Sequence, residues 1–173
     1  MNSDKQPISD STAANDLLED AAKLWLAHDG LWFLEVEKLL GMEKAIELDR
    51  NAWAHFTVLE ANRIMQRHNL PKNGGLKTLK QALAYRLYAC INTQEIVEET
   101  DNSFVFRMKE CRVQAARQRA GRPPFPCKSV GIVEYSGFAS TIDPRIKTEC
   151  IGCPPDEKHP EYFCAWRFTM PAE

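Results

Sequence analysis

The chain has no apolar run long enough to cross a bilayer: stretches such as Leu31 to Leu34 fall far short of the roughly 20 residues a span needs. It also lacks a basic start followed by an apolar core and a cleavage site, so residues 1–15 read as a polar tail and not as an export signal. No glycine-rich phosphate loop and no internal repeat is found, which argues against a nucleotide-binding doubly wound fold. The net charge of −2 supplies no positive field for nucleic acid. The expectation from these absences is a cytoplasmic protein in a reducing compartment, with neither membrane nor nucleic acid as partner.

What is present fits one globular unit over residues 16–173, since 44% of the 173 residues are hydrophobic. Residues 16–90 read as helical. Leu17, Leu18, Ala21, Leu24 and Trp25 recur at helical spacing, and His28-Asp29-Gly30 is expected to close that helix. A short helix over Trp32 to Leu40 ends at Gly41. A long one over Glu43 to His68 has Ala45, Leu48, Ala52, Phe56 and Leu59 as its expected inner face. Leu76, Leu79, Leu83, Leu87 and Cys90 form the stripe of a further helix, which makes Cys90 a core residue. Beyond it the period changes to two. Thr93 to Glu99 and Ser103 to Glu110 read as a hairpin, Arg112 to Ala120 and Lys128 to Ile142 as helices, and Arg145 to Ile151 with Tyr162 to Thr169 as a second hairpin. Pro144 ends the second of those helices by restricting Asp143. The order predicts an α+β fold: N-terminal helices, then two antiparallel hairpins flanking two helices, in one mainly antiparallel sheet.

Five of the six cysteines fall between Cys111 and Cys164. Cys150 and Cys153 are separated by two residues, a spacing that lets two sulfurs reach one ion at about 2.3 Å. There is no second Cys-x-x-Cys, so further ligands come from Cys111, Cys127, Cys164 and His159. Cys111 and Cys127 each precede a helix, where the helix dipole and Arg112 or Lys128 favour the thiolate. Three readings stay open: thiolate ligation of zinc or iron, a reactive or redox thiol, and plain core packing of small apolar residues. Six donors exceed what one tetrahedral ion takes.

Other polar residues carry weaker signals. His55 borders the expected inner stripe and reads as a core histidine or a base. Glu60 sits three residues before Arg63 and pairs with it in the plainest reading. Glu134 and Tyr135 share a helix with Lys128 and are candidates to face one cavity. Asp29 reads as a turn residue. Between Arg107 and Lys128 seven bases meet the single acid Glu110, which suggests either a solvated face or an anionic ligand.

The runs Asp29-Gly30-Leu31-Trp32-Phe33, Cys111-Arg112-Val113-Gln114, Cys127-Lys128-Ser129-Val130, Cys150-Ile151-Gly152-Cys153-Pro154-Pro155-Asp156 and Cys164-Ala165-Trp166-Arg167-Phe168 together resemble a family of uncharacterised prokaryotic cytosolic proteins. That family is similar to the L-2-amino-thiazoline-4-carboxylic acid hydrolase-like proteins and, more distantly, to the 4-vinyl reductase small-molecule-binding domain. The resemblance implies helices beside an antiparallel sheet around a ligand cavity, often in a dimer, with the five cysteines as motif positions. The leading expectation is therefore a small-molecule-binding domain with a cysteine-rich zinc or iron site. The alternatives are a metal-dependent hydrolase of a C–N or C–S bond in a small heterocyclic or amino-acid-derived substrate, with Glu60, Glu134 or His55 as base, and a homodimeric interaction module.

Overall fold

The structure, a computed structural model, describes residues 11–171. Helix α1 spans Ser11–Leu40, α2 Met42–His68 and α3 Gly75–Ala84; a 3-10 turn covers Leu87–Cys90. The hairpin β1 (Thr93–Val97) and β2 (Ser103–Glu110) follows, then α4 (Arg112–Arg119), α5 (Lys128–Ile142), and the hairpin β3 (Lys147–Gly152) and β4 (Cys164–Thr169). The strands form one antiparallel sheet in the order β1-β2-β4-β3, so β2 and β4 join the two hairpins at its centre. This is the expected α+β architecture.

The sheet's inner face carries Phe104, Phe106 and Met108 of β2 and Trp166 and Phe168 of β4, an alternation that puts every second residue into the core. Helix α5 lies across it, with Tyr135 stacked on Trp166 at 4.8 Å between ring centroids. Close approach requires glycine: a Cβ on Gly131 would stand 2.6 Å from the Trp166 ring, and one on Gly137 would stand 2.6 Å from the Thr57 methyl of α2. The Thr57 hydroxyl also donates to the Glu134 carbonyl at 2.8 Å, tying α2 to α5. On the outer face Val105, Ala165 and Tyr162 make a small satellite cluster.

Several expectations change. Helix α1 runs unbroken through His28-Asp29-Gly30, because one interior glycine costs only about 1 kcal/mol. Its first eleven described residues, 11–21, are all exposed, and residues 1–10 of the expected tail lie outside the described residues. The buried face of α2 is Ala45, Trp53, Thr57, Ala61, Ile64 and Met65, while Leu48 and Leu59 face solvent. Thr57 is buried on that face where α5 comes nearest, at Gly137. Helix α3 buries Leu76, Leu79 and Leu83 as expected but ends at Ala84, and Cys90 is exposed, not core. The second hairpin starts at Lys147, two residues late, because the buried Asp143 holds the preceding turn: its carboxylate accepts from the Arg145 and Gly75 backbone amides and from the Arg145 guanidinium.

Arg86, 2% exposed, sits where the helices and the 3-10 turn meet. Its Nε donates to Glu60 at 2.9 Å and its Nη2 to Glu134 at 2.7 Å. The rings of Trp53, Tyr88, Tyr135 and Phe138 surround it at 4.9–5.8 Å. Arg86→Met would leave two carboxylates without their cation. The expected loss is about 3–5 kcal/mol in urea unfolding near neutral pH, with part of it recovered when Glu60→Gln and Glu134→Gln are added.

Candidate functional site

A cavity of about 500 Å³ opens between α1, α2, α4, α5 and the end of the sheet where β2 finishes and β4 begins. Its walls are mainly apolar and aromatic. Leu26 and Phe33 come from α1, Trp53 from α2, Tyr88 from the 3-10 turn, Val130 from α5 and Trp166 from β4. The rings brace one another: Trp53 lies 6.0 Å from Tyr88, Trp25 5.5 Å from Tyr88, and Phe33 4.8 Å from Phe125. The Trp166 indole N–H is buried and has no hydrogen-bond partner. A buried donor left unpaired costs about 1–3 kcal/mol.

The wall formed by α4 and the loop after it is fixed by side chains. The Gln114 amide donates to the Phe125 carbonyl at 2.8 Å and accepts from the Phe125 N–H at 3.0 Å. Arg117, buried, grips both oxygens of Glu37 at 2.8 and 3.1 Å and donates to the Pro123 carbonyl at 2.8 Å, which ties this wall to α1. Arginine suits that fork geometry. Much of the basic segment is thus committed elsewhere. Arg107 faces Glu95, Glu98 and Glu161, Lys109 pairs with Glu95, and Lys128 with Asp156. Arg112, Arg119 and Arg122 lie along the cavity's exposed rim.

Four cysteines reach the cavity: Cys111, Cys127, Cys153 and Cys164. The Cys127 and Cys153 sulfurs stand 3.5 Å apart, and Cys153 also contacts Cys164. The Cys153 thiol, donating to Cys127, is pushed far above the usual range, whereas that same bond, against burial and with help from the Gln114 amide, lowers Cys127. Cys127 is accordingly the sulfur favoured as thiolate. The expectation that Cys111 is placed to ionise fails: burial outweighs its helix-start position and lifts it to about 12. Cys150 is raised to about 11, chiefly by burial, and lies outside the cavity lining, beside Trp166 in the sheet register. His159 stacks on Tyr162 at 4.1 Å, with the outer-face cluster. Among the described residues, no group of three or more His, Cys, Asp or Glu side chains is placed to hold a metal ion.

The weaker candidates separate. His55 is exposed, neither a core histidine nor near the cavity wall. Glu60 pairs with Arg86 and not with Arg63. Glu134 and Tyr135 do line the cavity; burial raises the Glu134 carboxyl, and Arg86 works against that rise. Asp29, mid-helix and no turn residue, lines the cavity at its open side, raised by desolvation. Asp49 was not anticipated. It lies on the cavity wall, three residues after Ile46 and four before Trp53, and a carboxylate interrupting that apolar spacing was the available signal.

Burial first, then the neighbouring carboxylates of Asp29 and Glu134, raise Asp49 to about 7, against a bond from Trp53 that lowers it. A carboxyl whose folded pKa exceeds its unfolded one favours the fold while protonated, so its contribution disappears as pH climbs from about 4 through about 7. The Tm advantage of Asp49→Asn over the parent chain is expected to grow across that window and level off above it, measured by thermal melts at a series of pH values.

Comparison with known proteins adds two observations and one absence. No curated protein matches the chain. A solved structure with 18% sequence identity and a TM-score of 0.56, described as the crystal structure of the phenol-responsive sensory domain of the transcription activator PoxR with phenol, covers 83% of this chain and is covered over 73% of its own. At that identity the likeness concerns the fold. Nothing in these comparisons supports the thiazoline-hydrolase relation. Residues 8–170 match the family described as "Family of unknown function (DUF6125)", and across that span the chain belongs to it.

Proposed function

We propose that this chain is a small-molecule-binding domain whose ligand enters the cavity between α1, α2, α4 and α5. The carrying observation is an apolar, aromatic-walled space of about 500 Å³. That size and lining suit a small ring-bearing ligand. The fold shared with a phenol-responsive sensory domain supports the same reading. Binding to the folded state alone stabilises it by about 2.7 kcal/mol at a hundredfold excess over Kd, which a melt detects. Titration with small neutral aromatics, beginning with phenol and indole, is expected to raise Tm with concentration. Val130→Phe, which fills the cavity from α5, is expected to remove that response. No response to any of them, or an equal one in the filled variant, overturns the reading.

The thiols favour a second reading, thiolate ligation of zinc or iron by Cys127, Cys153 and Cys164. Two zinc-bound sulfurs in a tetrahedron stand roughly 3.8 Å apart, near the 3.5 Å between Cys127 and Cys153. A third donor would have to swing in by side-chain rotation. Metal content of protein purified without chelator, compared with a Cys127→Ser, Cys153→Ser double variant, is expected to fall by at least half in the variant; equal and negligible metal in both ends the idea.

A further inference from the structure

Resting on that reading of the cavity, we infer that its ligand is an amphipathic carboxylate, whose apolar body lies against the aromatic walls while its one negative charge stays at the mouth among Arg112, Arg119 and Arg122. The bases between Arg107 and Lys128 fall into two groups. Arg107, Lys109, Arg117 and Lys128 each pair with an acid of the protein. Arg112, Arg119 and Arg122 form no ion pair among the described residues, and all three line the cavity. The acids that feel the charge of Arg112 and Arg122 are Glu19 and Glu37, and these already bond Lys23 and Arg117. The unmatched positive charge of this segment is therefore gathered at one place, the opening of an apolar space.

The backbone holds these arginines at the mouth. Arg112, Ala116 and Arg119 share one stripe of α4, which places the small Ala116 between two arginine stems along the lining. Gly121, at φ 65°, turns the chain back after α4: its N–H bonds the Gln118 carbonyl at 3.0 Å, and the Arg122 N–H bonds the Arg117 carbonyl at 2.9 Å. The Pro123 carbonyl then accepts from the Arg117 side chain, so Arg122 is pinned on both sides at the cavity's edge. Behind the mouth, a space of about 500 Å³ walled by Phe33, Trp53 and Tyr88 exceeds what a single ring fills and suits a longer apolar body. The remaining charges limit the head group. Of the lining acids, Glu134 is bonded to Arg86, whereas Asp29 and Asp49 lie on α1 and α2, away from the helix that carries the bases. Burial first, then neighbouring carboxylates, raise Asp49 to about 7, so near neutral pH it opposes an anion only in part. A carboxylate accepts two N–H bonds from a guanidinium fork with one negative charge, and a dianion would meet more repulsion from these two acids.

Three probes of one shape separate the possibilities: phenylbutyrate, its alcohol counterpart phenylbutanol and its amine counterpart phenylbutylamine. Calorimetric titration of the full chain at about pH 7.5 and about 20 mM salt is expected to show phenylbutyrate binding at least about fivefold tighter than either of the others, a preference that shrinks at about 300 mM salt. In the triple variant Arg112→Gln, Arg119→Gln, Arg122→Gln the preference is expected to fall to about twofold or less, with phenylbutanol affinity changed by less than about twofold. The triple variant Arg50→Gln, Arg63→Gln, Arg67→Gln, which removes as much charge from exposed positions of α2 off the lining, is expected to keep it. Phenylbutanol or phenylbutylamine equalling phenylbutyrate, a preference that survives loss of the three rim arginines, or one lost equally in both triple variants overturns the carboxylate inference, and the cavity reading stands if Val130→Phe still abolishes binding. No binding by any of the three at millimolar concentration overturns this inference, and together with silence in the phenol and indole titrations it overturns the cavity reading as well.

Discussion

The Arg86 guanidinium is the constraint on which the rest of the structure depends. Its two ion pairs reach α2 through Glu60 and α5 through Glu134, while its own backbone begins the 3-10 turn that delivers Tyr88. A charge this deep is tolerated only because every neighbour compensates it: burial opposes the charge, and the two carboxylates outweigh burial, so the group stays firmly protonated. The same contacts set the cavity. Trp53, Tyr88 and Tyr135 are held against the guanidinium on one side and supply wall on the other, so the floor of the binding space is the rim of an ion-pair network.

Above that floor the cavity persists because its walls are braced against collapse. Interiors pack to crystal-like density wherever the backbone can follow, and an apolar void of this size closes unless its lining is anchored from behind. Here the anchors are polar. Gln114 holds the loop at Phe125, Arg117 holds α4 to Glu37, and Thr57 locks α2 to α5 at the spacing set by glycine. Gln114 and Arg117 belong to the lining itself, and Thr57 lies outside it.

Much of the fold was legible because its signals are local. Residues Ser103 to Glu110 alternate strictly enough to mark β2 to the residue, and Lys128 to Ile142 is bounded by Cys127 and Pro144 on either side. What could not be read locally was which face of a helix is buried. In α2 the leucines point outward because the face that meets Gly137 of α5 takes Thr57, a choice made on a helix far along the chain. The cysteines illustrate the same limit. Their gathering at the sheet end was visible as a cluster, yet Cys153 finds Cys127 and Cys164, and only the fold decides that Cys127 is the acidic one and Cys111 the inert one. Asp29 looked like a turn because Gly30 follows it; the helix simply continues, and the carboxylate becomes part of a wall.

That continuity makes α1 a lever. From Asp29 back to Ser11 the rod extends about 27 Å at 1.5 Å per residue, and residues 11–21 touch little of the body. Leu17, Leu24 and Leu31, spaced seven apart and exposed, ride on it, with Leu18 and Trp32 beside them. A tilt of about 5° at the level of Asp29 carries the far end through about 2 Å. Any change of tilt where α1 lines the cavity would therefore reach that leucine row at the molecule's edge, since the helix runs unbroken from Ser11 to Leu40.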